Sequence, residues 1–250
     1  MDLTPKFHNQ YEEFRVLDAH TEGEPARIIL SGIPMVEGTT MMEKKQFIME
    51  HCDYIRTSLC FEPRGHKDML CVALVEPVHD AADFGVLFLE SGGVVNMCGH
   101  GAIATAVAVV EAGLVERTEP VTHVCFDVPA GMISINVNIR NGKAVSTDLE
   151  NVPTFSYREE LSTVVEGYGT IQYDLEFSGS FCALVDADQF GMKLDSILGC
   201  RFTCRIDRTT KVGNFDAIIP VITGGAYIDG YNCWLIDPDD PFGNGFLLGM

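Results

Sequence analysis

A short turn carrying a cysteine and a histidine, followed by a long apolar run, constrains this chain most strongly. The turn is residues 96–101, Asn-Met-Cys-Gly-His-Gly, and the run is residues 102–110. Because the run is rich in alanine and Gly113 follows it closely, we predict a helix that ends there. The helix is apolar on every face and too short to span a membrane, so we expect it to be buried at the centre of a domain.

Cys98 is predicted to lie at the amino end of this helix. Free backbone N–H groups and the helix dipole at such a position lower the pKa of a thiol and attract carboxylates or phosphates. Gly99 and Gly101 leave the backbone open to a ligand. The sequence therefore predicts a reactive thiolate beside an anion-binding pocket, whereas the other eight cysteines are interpreted as small apolar side chains.

His100 has three possible roles on this reasoning, since it can bind a carboxylate, pair with the thiolate, or cap its own helix. A third hypothesis, after the reactive thiolate and a metal site, is a Cys–His hydrolase, in which His20, His66 or His123 would approach Cys98 in space. The sequence does not show whether any of these three histidines does so.

A zinc site is the second hypothesis, because Cys98, His100, His66 and Asp68 are residue types that bind zinc. The spacing Cys-x-His is not characteristic of zinc proteins, however, and no second paired motif accompanies it. The polar loop at residues 62–68 is better interpreted as a structural cluster in which Arg64 binds a carboxylate, although it could also line a pocket.

The charge balance disfavours two kinds of partner. The chain has 17 basic and 36 acidic residues among 250, a net charge of −19, which argues against nucleic acid and anionic membranes as partners. The nine cysteines include no Cys-x-x-Cys pair, and the first residues lack the apolar core of a signal peptide. We therefore expect a cytoplasmic protein with mostly buried, reduced thiols.

The pattern of apolar residues divides the chain into two predicted parts after a loose lead at residues 1–13. The first, residues 14–120, contains a hairpin at 14–30, an amphipathic helix at 41–55 with a capping box that begins at Thr40, and the buried helix. The second, residues 121–250, reads as strands alone, with Asn141-Gly142 as a hairpin turn. Predicted strands elsewhere are 69–75, 84–89, 124–128, 132–139, 143–149, 171–177, 181–185, 202–206, 215–221 and 226–236.

Three segments together resemble the proline racemase family. They are residues 18–25 (Asp-Ala-His-Thr-Glu-Gly-Glu-Pro), 59–66 (Leu-Cys-Phe-Glu-Pro-Arg-Gly-His) and, above all, 96–101. The family includes proline racemases, 4-hydroxyproline epimerases and trans-3-hydroxyproline dehydratases, and the likeness covers nearly everything after residue 13. It implies a mixed α/β fold of the diaminopimelate-epimerase type, with a mixed or antiparallel sheet around the central helix of lobe 1. The active site would lie between the two lobes, and the last strand would return to lobe 1.

The resemblance also implies a chemistry. Family racemases and epimerases act on proline or hydroxyproline without a cofactor or metal, removing the Cα proton from one face and returning a proton to the other. Cys98 matches the first catalytic cysteine, Gly99 and His100 match its neighbours in the substrate pocket, and Leu70 stands where many relatives place an aromatic residue against the substrate ring. The resemblance further implies a homodimer.

One departure from the family concerns the second catalytic cysteine. In relatives it lies in an Asp-Arg-Ser-Pro-Cys-Gly-Thr-Gly-Thr motif on a second central helix, but this chain runs directly from Asp195 to Ser196 and lacks that segment. Cys200 and Cys204 fall in the following strand and do not replace it. We therefore expect two-base racemisation to be absent or severely reduced. The alternatives are a one-base dehydratase of trans-3-hydroxy-L-proline, and an inactive or incomplete gene product.

Overall fold

A computed structural model describes residues 10–190 and 198–248, which form three α-helices, one short 3₁₀ helix and fourteen strands. The helices are α1 (Met41–His51), α2 (Asp53–Cys60), α3 (Gly99–Glu111) and the 3₁₀ helix Ala187–Phe190. The strands of the first half are β1 (Glu12–Thr21), β2 (Glu24–Ser31), β3 (Leu70–Val75), β4 (Phe84–Glu90) and β5 (Gly93–Val95). Those of the second half are β6 (Val121–Val128), β7 (Gly131–Arg140), β8 (Lys143–Glu150), β9 (Phe155–Val165), β10 (Gly169–Phe177), β11 (Phe181–Leu184), β12 (Thr203–Val212), β13 (Phe215–Gly224) and β14 (Ala226–Ile236).

Eleven strands form one large mixed sheet that surrounds α3. Its order is β12-β13-β8-β7-β6-β4-β3-β2-β1-β14, with β5 paired to β4, and only the β2–β3 and β4–β6 pairs are parallel. Helix α3 contacts strands from both halves of the chain, and every residue from 101 to 110 is buried. The predicted mixed α/β fold with a buried central helix is therefore confirmed. The helix is buried because it has no polar face and needs protein on all sides.

Two tight turns fix the register of the flanking strands. In the hairpin of β1 and β2, Glu22 and Gly23 have φ angles of 51° and 94°, and in that of β7 and β8, Asn141 and Gly142 have φ angles of 53° and 72°. Positive φ at both central residues matches the right-handed twist of the strands. Both predicted hairpins are confirmed.

Strands from both sides of residue 120 belong to the same large sheet. Strands β6, β7 and β8 continue it beyond β4, and β14 pairs with β1 along its length, so the last strand returns to the first part of the chain. The second sheet contains only β9, β10 and β11. The division into two lobes at residue 120 stays a prediction. The junction of Asp195 and Ser196, and most of the lead at residues 1–13, lie outside the described residues.

The predicted helix at 41–55 is wrong in its extent. Its capping begins as expected, since the Thr40 hydroxyl accepts a hydrogen bond from the Glu43 amide at 3.1 Å. The helix stops at His51, however, because Cys52 adopts φ −135° and ψ 19°, and α2 starts one residue later. Strand β9 was not predicted, because charged residues interrupt its apolar pattern and most of its side chains are exposed.

The polar loop around Arg64 is structural, as predicted. Its guanidinium donates to the carbonyl oxygens of Ser58 at 2.7 Å and Phe242 at 2.9 Å, and lies 3.8 Å from the Asp240 carboxylate. Arg64 thus ties the end of α2 to the C-terminal turn mainly through carbonyl groups. Within the described ranges, no helix is long and apolar enough to cross a membrane.

Candidate active site

Cys98 is the residue that precedes the first turn of α3. Its backbone is extended, with φ −143° and ψ 116°, and its carbonyl accepts the first helical hydrogen bond, from Ala102 at 3.0 Å. The side chain does not cap the helix and instead places Sγ 3.3 Å from Nδ1 of His100. The thiol therefore lies beside the free backbone N–H groups of the helix end, as the sequence predicted.

The loop before Cys98 is held from three directions. The side chain of Asn96 accepts a hydrogen bond from Lys45 Nζ at 2.7 Å, and its carbonyl accepts one from Ala130 at 3.2 Å. Gly179, in the turn between β10 and β11, packs so closely on Met97 that a Cβ there would lie 2.5 Å from the Met97 side chain. The smaller sheet thus reaches the residue next to Cys98.

Burial dominates the acidity of the Cys98 thiol. Burial raises its pKa to about 11, the backbone N–H groups of Gly101 and His100 act in the opposite direction, and the negative charge of Glu90 raises it further. The predicted lowering of this pKa is therefore wrong, because the helix end supplies the expected stabilisation but loss of water outweighs it. At neutral pH the resting group is a thiol, which is the form that donates a proton.

His100, in the first turn of α3, carries a neutral imidazole. Burial lowers its pKa, and the nearby Glu24 carboxylate only partly offsets this effect. The Thr21 hydroxyl donates a 2.8 Å hydrogen bond to the His100 carbonyl, which fixes the backbone. Nε2 of His100 is buried and has no hydrogen-bond partner among the described residues. Since a buried polar atom without a partner is costly, this nitrogen is available to a ligand.

The two glycines on either side of His100 differ in their surroundings. A Cβ at Gly99 would meet nothing within 4 Å, whereas one at Gly101 would lie 2.5 Å from Cδ2 of Leu70 and 3.1 Å from Phe88. Gly99 therefore presents open backbone, and Gly101 allows α3 to pack on β3. Leu70 is only 2% exposed beneath this turn, and its contact with a substrate stays a prediction.

The other candidate histidines bind within their own local structures. Nδ1 of His20 accepts from the Gly23 amide at 3.1 Å, Nδ1 of His66 accepts from the Asp68 amide at 3.3 Å, and His123 contacts Asn136 on the neighbouring strand. The histidine that meets Cys98 is thus His100. Among the described residues, no group of three or more histidine, cysteine, aspartate or glutamate side chains is arranged to hold a metal ion.

Sequence reasoning did not single out several residues that shape the site. Thr21 and Glu24 act on His100, Glu90 acts on Cys98, and Lys45 holds the loop. Thr21 and Glu24 lie inside the family-like segment 18–25, so that segment carried a usable signal. The proximity of Glu90 to Cys98 and of Lys45 to Asn96 is visible only in the folded chain.

The fold defines the class of protein. A hydroxyproline epimerase from Agrobacterium vitis, solved with bound trans-4-hydroxy-L-proline, superimposes with a TM-score of 0.90 over 96% of each chain at 21% identity. The chain therefore has the strand-rich mixed α/β fold of hydroxyproline epimerases.

The sequence comparisons identify the family. The family model described as proline racemase matches residues 16–196 and 192–247, and the chain belongs to this family. It is 32% identical to a proline racemase from Clostridioides difficile and 38% identical to a trans-3-hydroxy-L-proline dehydratase from Bacillus thuringiensis subsp. konkukian, in each case over 94% of this chain and 98% of the relative.

The same comparisons locate the missing segment. The alignment with the C. difficile protein spans 327 positions, whereas this chain has 250 residues, so at least 77 positions of the alignment face a gap in this chain. The two stretches of this chain that match the family model, residues 16–196 and 192–247, overlap at residues 192–196. That is where the sequence predicted a segment to be lacking, between Asp195 and Ser196.

Proposed function

We propose that this chain is a cofactor-independent enzyme that transfers a proton at Cα of proline or hydroxyproline, with Cys98 as its acid/base group. The observation that carries the proposal is the placement of the Cys98 thiol at the amino end of a buried helix, 3.3 Å from Nδ1 of His100. Gly99 and His100 form the substrate pocket beside it. The open backbone at Gly99 and the unpartnered Nε2 of His100 support this role.

The chemistry follows from the weak acidity of the Cα proton. When Cys98, as thiolate, takes this proton, negative charge develops on the substrate carboxylate, where N–H groups of the first turn of α3 can stabilise it. The resulting thiol then returns a proton to Cα. Inversion needs a second proton donor on the opposite face, and the family motif that supplies it is lacking here. We therefore expect exchange of the Cα proton on one face without efficient racemisation.

The first experiment separates exchange from inversion. The 250-residue protein is incubated in heavy water with L-proline or trans-4-hydroxy-L-proline, exchange is followed by NMR, and inversion by chiral chromatography. We expect exchange that Cys98→Ser abolishes and that Cys182→Ser, a change at an exposed cysteine, leaves intact. Rapid formation of D-proline that depends on Cys98 would contradict the predicted loss of the second base, and absence of exchange would contradict the role of Cys98.

A second candidate is a one-base dehydratase. In that reaction Cys98 takes the Cα proton of trans-3-hydroxy-L-proline and the C3 hydroxyl leaves with a proton as water, giving an enamine that tautomerises to the cyclic imine. The 38% identity to a trans-3-hydroxy-L-proline dehydratase favours this candidate, as does the need for only one proton-accepting group at Cα. Detection of the cyclic imine with this substrate, and its loss in Cys98→Ser, would support it.

An inactive or incomplete gene product is the third candidate, favoured by the gap of at least 77 positions. Sequencing the DNA around the codons for Asp195 and Ser196 tests it, because an intron or deleted in-frame segment there that encodes the second motif would explain the gap.

We also propose that the protein is cytoplasmic and forms a homodimer. Sedimentation analysis of the purified protein tests the second of these.

A further inference from the structure

A groove of about 700 Å³ lies at the end of α3 opposite to Cys98. Its wall is formed by apolar side chains from the ends of β2, β3 and β4, the loop before α1, and the third residue after the end of α3. These include Leu30, Ile33, Met35, Leu74, Phe84 and Leu114. Since the 13 residues of α3 rise by 1.5 Å each, the groove is about 20 Å from the candidate active site along the helix.

One cation lies in this apolar groove. Lys44 is on the buried face of α1 together with Met41 and Ile48, and it is only 7% exposed. Its ammonium group donates one hydrogen bond, to the Val36 carbonyl at 3.3 Å, and no carboxylate of the described residues lies within ion-pair distance. A lysine ammonium has three donors, and a buried charge is costly unless it is paired.

We propose that this groove binds a monocarboxylate with an apolar tail, whose carboxylate pairs with Lys44 and whose tail lies along the apolar wall. The charge of Lys44 selects the head group, and the wall removes the tail from water. Glu76 also lines the groove and disfavours a second negative charge on the ligand. The ligand class is therefore a medium-chain carboxylic acid rather than a dicarboxylate or a phosphate ester.

Met35 and Met42 offer a matched pair of surface changes. Met35 lines the groove and is 82% exposed, whereas Met42 is 49% exposed on α1 and is not among the groove residues. A glutamate at position 35 places a negative charge at the mouth of the groove, and one at position 42 adds the same charge to the protein elsewhere. Neither change disturbs the buried core.

The test is calorimetric titration of the purified 250-residue protein with octanoate, and with 1-octanol as the uncharged probe. We expect saturable binding of octanoate that Lys44→Met weakens at least tenfold and Met35→Glu weakens severalfold, while Met42→Glu has no effect. Binding of 1-octanol should be the same in wild type and Lys44→Met. Circular dichroism checks folding, and if Lys44→Met fails to fold, the two glutamate variants alone carry the test.

Three outcomes overturn the proposal. The first is no saturable octanoate binding to the wild-type protein. The second is equal octanoate affinity in Met35→Glu and Met42→Glu, and the third is a loss of 1-octanol binding in folded Lys44→Met as large as the loss of octanoate binding. The last result would mean that Lys44 supports the shape of the groove rather than recognising the carboxylate.

Discussion

The Sγ atom of Cys98 lies 3.3 Å from Nδ1 of His100, and both side chains are in their neutral forms at neutral pH. Burial raises the pKa of the thiol to about 11 and lowers the pKa of the imidazole. The two groups are therefore a thiol and an imidazole rather than a thiolate–imidazolium ion pair. Formation of the thiolate base costs free energy, which binding of the substrate must offset.

The reactivity of Cys98 should rise steeply with pH. With a pKa of about 11, roughly one thiol in 10⁴ is ionised at pH 7, and the ionised fraction rises about tenfold per pH unit up to pH 10. We expect the rate of alkylation of Cys98 by iodoacetamide to follow this slope, measured by peptide mass spectrometry. The exposed Cys182 in the same sample serves as the internal reference. A rate for Cys98 that levels off near pH 7 would contradict the neutral resting thiol.

Removal of a nearby negative charge should make Cys98 more acidic. The Glu90 carboxylate raises the pKa of the Cys98 thiol, so Glu90→Gln is expected to lower it and to shift the alkylation profile toward lower pH. The control is Glu166→Gln, at the exposed turn between β9 and β10. An unchanged profile in Glu90→Gln would show that this carboxylate does not act on the thiol.

The central helix could be predicted from the sequence because its pattern leaves no alternative, since residues 102–110 have no polar face to turn toward water. The interruption between α1 and α2 at Cys52 could not be predicted, because apolar residues recur at helical spacing on both sides of it. The pKa of Cys98 was predicted in the wrong direction for a related reason. The helix end is visible in the sequence, whereas the depth at which the fold buries the thiol is a property of strands distant in the chain.

Only part of the candidate site could likewise be predicted from the sequence. Cys98, Gly99 and His100 are consecutive, so one motif identified them together. Outside this site, Lys44 of the apolar groove was not recognised either, because a lysine within an amphipathic helix is usually exposed and only the packing of α1 places it on the buried face.

The close contact between α3 and β3 gives a stability test with a rescue. A Cβ at position 101 would lie 2.5 Å from Leu70, so Gly101→Ala should destabilise the protein by about 1–3 kcal/mol. Gly99→Ala, where the space is open, should cost little. Urea unfolding measures both, and Leu70→Val should recover part of the loss in the Gly101→Ala background. Equal effects at positions 99 and 101 would contradict the predicted overpacking.

Arg27 should contribute far more to stability than a surface arginine. It is 4% exposed, its guanidinium bonds to Asp18 at 2.7 Å and to the Leu59 carbonyl at 2.8 Å, and it lies 4.7 Å from the centre of the Trp234 ring. Because Arg27→Met removes the cation that pairs with Asp18 and the side-chain donor to the buried Leu59 carbonyl, we expect a loss of about 3 kcal/mol in the free energy of unfolding.

The control for Arg27 is Arg15→Met, which removes an exposed ion pair with Glu13 at 2.8 Å and should produce no measurable change. Urea unfolding at neutral pH compares the two variants. Equal free energies of unfolding would show that the network around Arg27 does not stabilise the fold.

The exposed apolar side chains on both sides of the missing segment should cause this form of the protein to self-associate. Phe181 and Leu184 on β11 are 56% and 49% exposed, and Leu198 and Phe202 before β12 are 66% and 44% exposed. An apolar surface of this kind, at a point where relatives have additional residues, favours self-association and dye binding.

We expect the purified protein to enhance the fluorescence of anilinonaphthalene sulfonate and to form oligomers at micromolar concentration. The double change Phe181→Ser and Leu184→Ser should reduce both signals at least twofold, whereas Met42→Ser with Met49→Ser, a pair on α1 with comparable exposure, should not. Equal signals from the two double variants would show that Phe181 and Leu184 do not form the surface through which the protein self-associates.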